Sequence, residues 1–239
     1  MFSNPYELNY SKVKTYSDCP ILYKYKYVEY KRAPLIPEAS LGISLHRALE
    51  RYHKVGKKSL EALIDAYIDS WVTAGFHNAH QEVEFFGKGR KMLEHFWDYD
   101  KNCKNEIMYA EKRIKFTSGK WTIKGLIDRV DKHPDGSFEV IDYKSGFEIK
   151  TEKDVSKDFQ LGIYALGLKK DFGIKVKSLS IYLLAYDKKI TVPYDDSKES
   201  EILKKLTDTG EEMLKEDYKP NTQHCKICIF KKTCPFSIA

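Results

Sequence analysis

Residues 138–144 of this 239-residue chain read F-E-V-I-D-Y-K. On a strand, Phe138, Val140, Asp142 and Lys144 share one face while Ile141 and Tyr143 share the other. Apolar residues on both faces mark a central, buried strand. A buried strand that ends in an acid and a lysine on the same side needs a reason, because an unpaired buried charge is costly. The two either pair with each other or hold a cation and a polyanion. One strand earlier, Asp128 lies in G-L-I-D-R-V-D, on the face of Thr122, Lys124, Leu126 and Val130. A hairpin around Pro134-Asp135-Gly136 would bring Asp128 close to Asp142. Two carboxylates and a lysine form a hard-cation site that suits magnesium or manganese, with waters retained and a phosphate clamped. The metal would acidify a water and stabilise charge at phosphorus, and Lys144 would orient that water or offset charge on the phosphate.

The cysteines form a second constellation. There are five, and Cys225, Cys228 and Cys234 crowd into the last fifteen residues, in C-K-I-C-I-F-K-K-T-C. Such spacing lets several thiolates converge on one centre and leaves a fourth position open. Cys19, in S-D-C-P-I-L-Y-K-Y-K-Y-V, is the donor that fits, standing before a proline on an inward helix face. Spacing alone suits zinc and an iron–sulfur cluster equally. Disulfides are the weaker reading in a chain expected in a reducing compartment.

The elements that must position these groups follow from periodicity. Residues 11–28 read as a helix capped by Ser11, with Tyr16, Cys19, Tyr23, Tyr27 and Tyr30 on one face. These tyrosines are either a buried face or a platform for stacking bases, with the buried face favoured. Further helices are expected over 38–54, with His46 at the edge of the apolar stripe, and over 59–73 and 80–103. The period then changes to two. Strands are expected over 106–117, 120–131 and 137–144 as an antiparallel meander. A crossover helix over 154–171, two strand-like runs within 176–193 and a charged helix over 196–217 complete a mixed α/β pattern.

The bulk numbers narrow the class. A hydrophobic content of 42% can build a core, and the net charge of +6, from 41 basic and 35 acidic residues, suits contact with nucleic acid without requiring it. No run of eighteen apolar residues occurs, and Met1–Tyr10 lacks the basic-then-apolar order of a secretory signal, so a cytoplasmic location without a membrane is expected. No G-x-x-x-x-G-K-[ST] loop occurs, so any unwinding would come from a partner.

G-L-I-D-R-V-D followed by E-V-I-D-Y-K-S-G resembles the core of the PD-(D/E)XK nuclease superfamily. It looks most like the branch of RecB and AddB nuclease domains and CRISPR-adaptation nucleases. That branch carries G-x-x-x-H-x-x-L-E on an upstream helix, matched here by G-I-S-L-H-R-A-L-E from Gly42 to Glu50. It also carries Q-x-x-x-Y after the lysine strand, matched by Gln160 and Tyr164, one helical turn apart. The resemblance implies that His46, Asp128, Asp142 and the Tyr143 main-chain carbonyl bind metal. It further implies that Lys144 is catalytic beside Asp128 and Asp142, with Gln160 and Tyr164 supporting the site or the DNA. Glu111, on the first strand, is similar to an acid often found there and would help a second metal ion. The acid of the D-x-K motif is Asp where Glu is also common, a variation the branch tolerates. Some members bind a 4Fe–4S cluster through one amino-terminal cysteine and a carboxy-terminal trio. Here that implies Cys19, Cys225, Cys228 and Cys234 as ligands, with Cys103 a spare buried thiol.

The expected architecture is a single α/β nuclease domain over 1–239 with a restriction-endonuclease-like core, a mixed central sheet flanked by helices. Residues 1–104 would be mainly helical, 105–195 the catalytic sheet, and 196–239 a helix and cysteine region that joins both termini through Cys19. The implied activity is a magnesium- or manganese-dependent DNA exonuclease, with accompanying endonuclease action, on single strands or ends. It would serve repair, recombination or CRISPR adaptation, with a helicase or CRISPR-adaptation proteins as partners. The alternative is a catalytically silent DNA-binding subunit of such a complex.

Overall fold

The computed structural model describes residues 5–56 and 59–239. In chain order these form β1 (Glu7–Leu8), α1 (Tyr10–Asp18), α2 (Pro20–Tyr23), a π-helical turn (Lys24–Val28), α3 (Pro37–Val55), α4 (Leu60–Ser70) and α5 (Ala79–Asp100). There follow β2 (Glu106–Ser118), β3 (Trp121–Lys132), β4 (Phe138–Lys144), α6 (Glu152–Val155), α7 (Phe159–Phe172), β5 (Val176–Leu183), β6 (Lys188–Pro193), α8 (Glu199–Leu214) and a 3₁₀ segment (Thr222–Ile227). Among the described residues no helix is long and apolar enough to cross a membrane.

The chain groups into two compact units that interleave along the sequence. The larger comprises Leu35–Arg113 and Leu126–Tyr194; the smaller comprises the residues up to Pro34, Ile114–Gly125 and Asp195–Ala239.

In the larger unit the sheet is mixed. β3 and β4 are antiparallel, with Arg129 opposite Ile141 and Val130 opposite Val140. β4 and β5 are parallel, joined through α6 and α7, and β6 returns antiparallel to β5. β4 is therefore interior, and its residues from Glu139 to Tyr143 are all buried, as the two-faced apolar pattern required. One face is covered by α3, α4 and α5, whose Leu45, Leu49, Leu63, Leu93 and Phe96 pack in one core with Ile141, Tyr143 and Tyr182. Helix ends are specified locally. Pro37 opens α3, Asn78 caps α5, Asp158 caps α7, and α3 and α7 terminate at left-handed Gly56 and Gly173. In α7 every residue from Leu161 to Leu168 is buried, as expected of a helix that is apolar all round.

In the smaller unit β1 pairs in parallel with the start of β3, Glu7 beside Thr122. Here the structure corrects the expectation of one helix over 11–28. Asn9, not Ser11, caps α1, its side chain accepting from the Lys12 N–H at 2.8 Å. The helix breaks at Cys19, which is extended (φ −165°, ψ 117°). The cause is Pro20, whose ring disfavours helical backbone in the residue before it. The break and the π turn beyond it shift the register of the tyrosines. Tyr25 becomes buried, Tyr16, Tyr23 and Tyr27 are half-buried, and Tyr30 is exposed. Cys19 is buried as expected, while Cys103, in the larger unit, is only half-buried.

Candidate active site

Register and one hydrogen bond assemble the acids. Extending the β3–β4 pairing one step beyond Arg129–Ile141 sets Asp128 against Asp142. Asp128 Oδ2 accepts the Tyr143 backbone N–H at 2.7 Å, which locks the carboxylate at the strand crossing. From α3, His46 Nδ1 reaches to 3.3 Å from Asp128 Oδ1. From β2, Glu111 completes the group, and ligand atoms of His46, Glu111 and Asp128 all lie within 4.8 Å of one another. Glu111 sits inside the strand at φ +52°. A left-handed residue with a long side chain costs about 1–3 kcal/mol and persists where surrounding structure requires it. That local reversal is invisible in the alternation of E-I-M-Y-A-E-K-R.

Asp142 is buried and faces Lys144, with Oδ2 2.6 Å from Lys144 Nζ. The contact is close but poorly aligned, so Oδ2 is a buried acceptor without a proper hydrogen bond. Lys144 Nζ donates instead to Gln160 Oε1 at 2.8 Å, and Gln160 Nε2 donates to the Tyr164 hydroxyl at 2.7 Å. Lys144, Gln160 and Tyr164 thus form one chain of hydrogen bonds, with the last two one helical turn apart as their spacing suggested.

The electrostatics are those of a site short of positive charge. Burial and the neighbouring Asp128 and Glu50 push Glu111 up to about 7. Burial raises Asp142 to about 6, with Asp128 adding to it and Lys144 opposing. Burial works against charge on His46, yet Asp128 more than offsets it and lifts His46 to about 9. Burial likewise disfavours the Lys144 ammonium, but Asp142 holds its pKa above the usual lysine value, so it carries charge at neutral pH. A hard divalent cation among these carboxylates would relieve their repulsion. The oxygen-rich donor set fits magnesium or manganese.

Behind the acids lies a buried ionic pocket that sequence reading missed. Arg129 grips Asp131 with Nε and Nη2 at 2.5 and 2.9 Å and Asp100 with Nη1 at 2.7 Å. On the same side, His53 stacks on Tyr143 at 20° with Nε2 2.9 Å from the Tyr143 hydroxyl. Gly42, one turn before His46, has its own reason to be glycine. A Cβ there would stand 2.9 Å from Ser145 Oγ, so its absence lets the chain just past Lys144 approach α3.

In the smaller unit, Cys19, Cys225, Cys228 and Cys234 line one cavity together with Tyr25, Asn221 and His224. The Asn221 N–H points to Cys19 Sγ at 3.4 Å, and the Tyr25 hydroxyl lies 3.8 Å from Cys234 Sγ. Burial raises the Cys228 thiol pKa, and the other three thiols add to it. Cys103 stands apart in the larger unit, its Sγ 3.9 Å from Arg129 Nη2.

Fold and site together define a metal-dependent nuclease scaffold, with a mixed sheet carrying D…D-x-K and a helix bringing His46. The family model of the PD-(D/E)XK nuclease superfamily matches residues 7–235, and the chain belongs to that superfamily. The chain is similar to the Gene 69 protein of Mycobacterium phage D29, with 23% identity over 94% of this chain and 95% of the relative. It is also similar to the Gene 69 protein of Mycobacterium phage L5, with 24% identity over 81% and 77%. A protein from Eubacterium rectale, described as a candidate exonuclease, shares the fold with a TM-score of 0.60 at 12% identity, covering 99% of this chain and 91% of the other.

Proposed function

We propose that this protein is a magnesium- or manganese-dependent DNA exonuclease acting on single strands or ends, with endonuclease action as a secondary activity. The observation that carries the reading is the convergence of His46 from α3, Glu111 from β2 and Asp128 from β3 within 4.8 Å, with Asp142 and Lys144 on the neighbouring strand β4. His46, Asp128, Asp142 and the Tyr143 carbonyl would hold the metal, with Glu111 as a further carboxylate. When bound, the metal supplies an acidified water and charge stabilisation at phosphorus. Lys144 places its ammonium against the phosphate charge that grows during displacement. Gln160, oriented by Tyr164, keeps that ammonium aimed, and the Tyr143 N–H keeps Asp128 from turning away. The intact set of His46, Asp128, Asp142 and Lys144 speaks against a silent DNA-binding subunit.

We assign Cys19, Cys225, Cys228 and Cys234 to a 4Fe–4S cluster. The four thiols around one cavity support a thiolate-bound centre, and the N–H and O–H groups aimed at sulfur are those that tune such centres. Zinc suits the thiols as well, and the family resemblance favours iron. The cluster would tie the amino-terminal segment to the carboxy-terminal one across about 200 residues of chain. DNA repair, recombination or CRISPR adaptation, with a helicase or adaptation proteins alongside, is the setting we infer from the resemblance.

The test is digestion of 5′- and 3′-labelled single strands with magnesium or manganese, beside Asp142→Ala. Loss of cleavage in the variant is expected, and the product ladder gives polarity. Equal cleavage by both proteins would remove the assignment.

A further inference from the structure

Strands β4 and β5 run parallel to their ends, with Lys144 beside Leu183. In α/β sheets ligands collect outside the carboxyl ends of parallel strands. Two segments leave this edge side by side, residues 145–150 after β4 and the turn Leu184–Tyr186 after β5. They are tied together, because the Tyr186 hydroxyl donates to the Phe147 carbonyl at 2.7 Å. The first segment is also seated on α3, where Gly42 makes room for Ser145. The backbone is held at two points, yet the side chains it displays are apolar and open. Phe147 is 55% exposed, Ile149 68% and Tyr186 42%. The fold gains little from leaving a phenyl ring and an isobutyl-sized group in water, and it has fixed the backbone that carries them.

Phe147 stands three residues beyond Lys144, a reach of at most about 11 Å of extended chain. That is the scale of a nucleotide or two from a phosphate held at the lysine. We propose that Phe147, with Tyr186 beside it, is the stacking contact for an unpaired nucleobase of the strand whose phosphate is cut at Lys144. This rests on the nuclease reading above and deepens it by naming the form of the substrate. A base inside a duplex has both faces occupied by its neighbours, whereas a base in a single strand or a frayed end offers a free face to an aromatic ring.

The test compares cleavage of a single-stranded oligonucleotide, and of the same strand carrying consecutive abasic sites, in magnesium. Base–aromatic stacking sets the expected effect of Phe147→Ala at roughly 5- to 150-fold in kcat/KM on the normal strand. Phe147→Trp should retain wild-type efficiency. Abasic sites should slow the wild type by a similar factor and leave Phe147→Ala unmoved. The inference is overturned if Phe147→Ala cuts the normal strand as well as wild type does. It is also overturned if the variant is slowed equally on both strands, or if the variant's main effect is to dissociate an oligomer seen for wild type by light scattering. If wild type cuts neither strand while Phe147→Ala folds normally, the nuclease reading fails first and takes this inference with it.

Discussion

Arg129→Met would remove the cation that Asp131 and Asp100 share. The guanidinium is 1% exposed and both carboxylates are fully buried. It makes three short hydrogen bonds to them, at 2.5, 2.9 and 2.7 Å, while Tyr52 adds one to Asp100 at 3.3 Å. Methionine nearly fills the volume, so the cost is electrostatic rather than a cavity. Removing one partner of a buried ionic set typically costs about 3–5 kcal/mol, since the two carboxylates stay buried after their shared cation is gone. For a chain of this length each kcal/mol moves the melting temperature by about 2–4 °C, which gives a fall of about 6–20 °C. Total stabilities of about 5–15 kcal/mol leave the variant measurable at room temperature. The triple variant Arg129→Met, Asp131→Leu, Asp100→Leu should recover most of the loss, because replacing a whole buried ionic set by apolar groups is often neutral or better. Urea and thermal unfolding followed by circular dichroism at neutral pH would read both. A single variant within about 1 kcal/mol of wild type, or a triple variant as unstable as the single one, would refute the reasoning.

If the proposed cluster is bound, Cys19→Ala is expected to abolish its visible absorbance and lower the unfolding midpoint of the whole chain rather than fray only the tail; full absorbance with an unchanged midpoint would count against the cluster assignment. Glu111→Gln should keep the fold and weaken manganese binding by more than about tenfold, read by calorimetric titration, since a carboxylate of the convergent trio becomes neutral. In α5, Gly87→Ala should stabilise by up to about 1 kcal/mol, because a Cβ there meets nothing within 4 Å and alanine is the better helix former. Gly89→Ala should instead destabilise, by about 1–3 kcal/mol of overpacking, since its Cβ would lie 2.1 Å from the Tyr67 hydroxyl and 2.7 Å from Leu41 Cδ1. Equal melting shifts for the two glycines would refute the difference in packing between these two positions.

Much of this protein is written in its local pattern. The strands and most helices fall within a few residues of where period and turn residues put them. Asp128, Asp142 and Lys144 were readable because strand alternation and one hairpin turn are short-range facts. His46, Gln160 and Tyr164 were readable only through resemblance, since nothing in a single helix says which sheet its polar edge will meet. Other features belong to the tertiary structure alone. Glu111 was named through resemblance, but the left-handed backbone by which it enters the site in mid-strand was not, because alternation assumes no such reversal. Pro20 stood in plain view, yet its effect, a break that brings Tyr25 into the core and leaves Tyr30 exposed while Cys19 stays buried, is not what a continuous helix would give. The gathering of Arg129 with Asp100 and Asp131, and of Gly42 with Ser145, depends on long-range packing. Periodicity reports which side of an element is apolar; it carries no information on which distant residue arrives to satisfy a buried charge or to fill the space a missing side chain leaves.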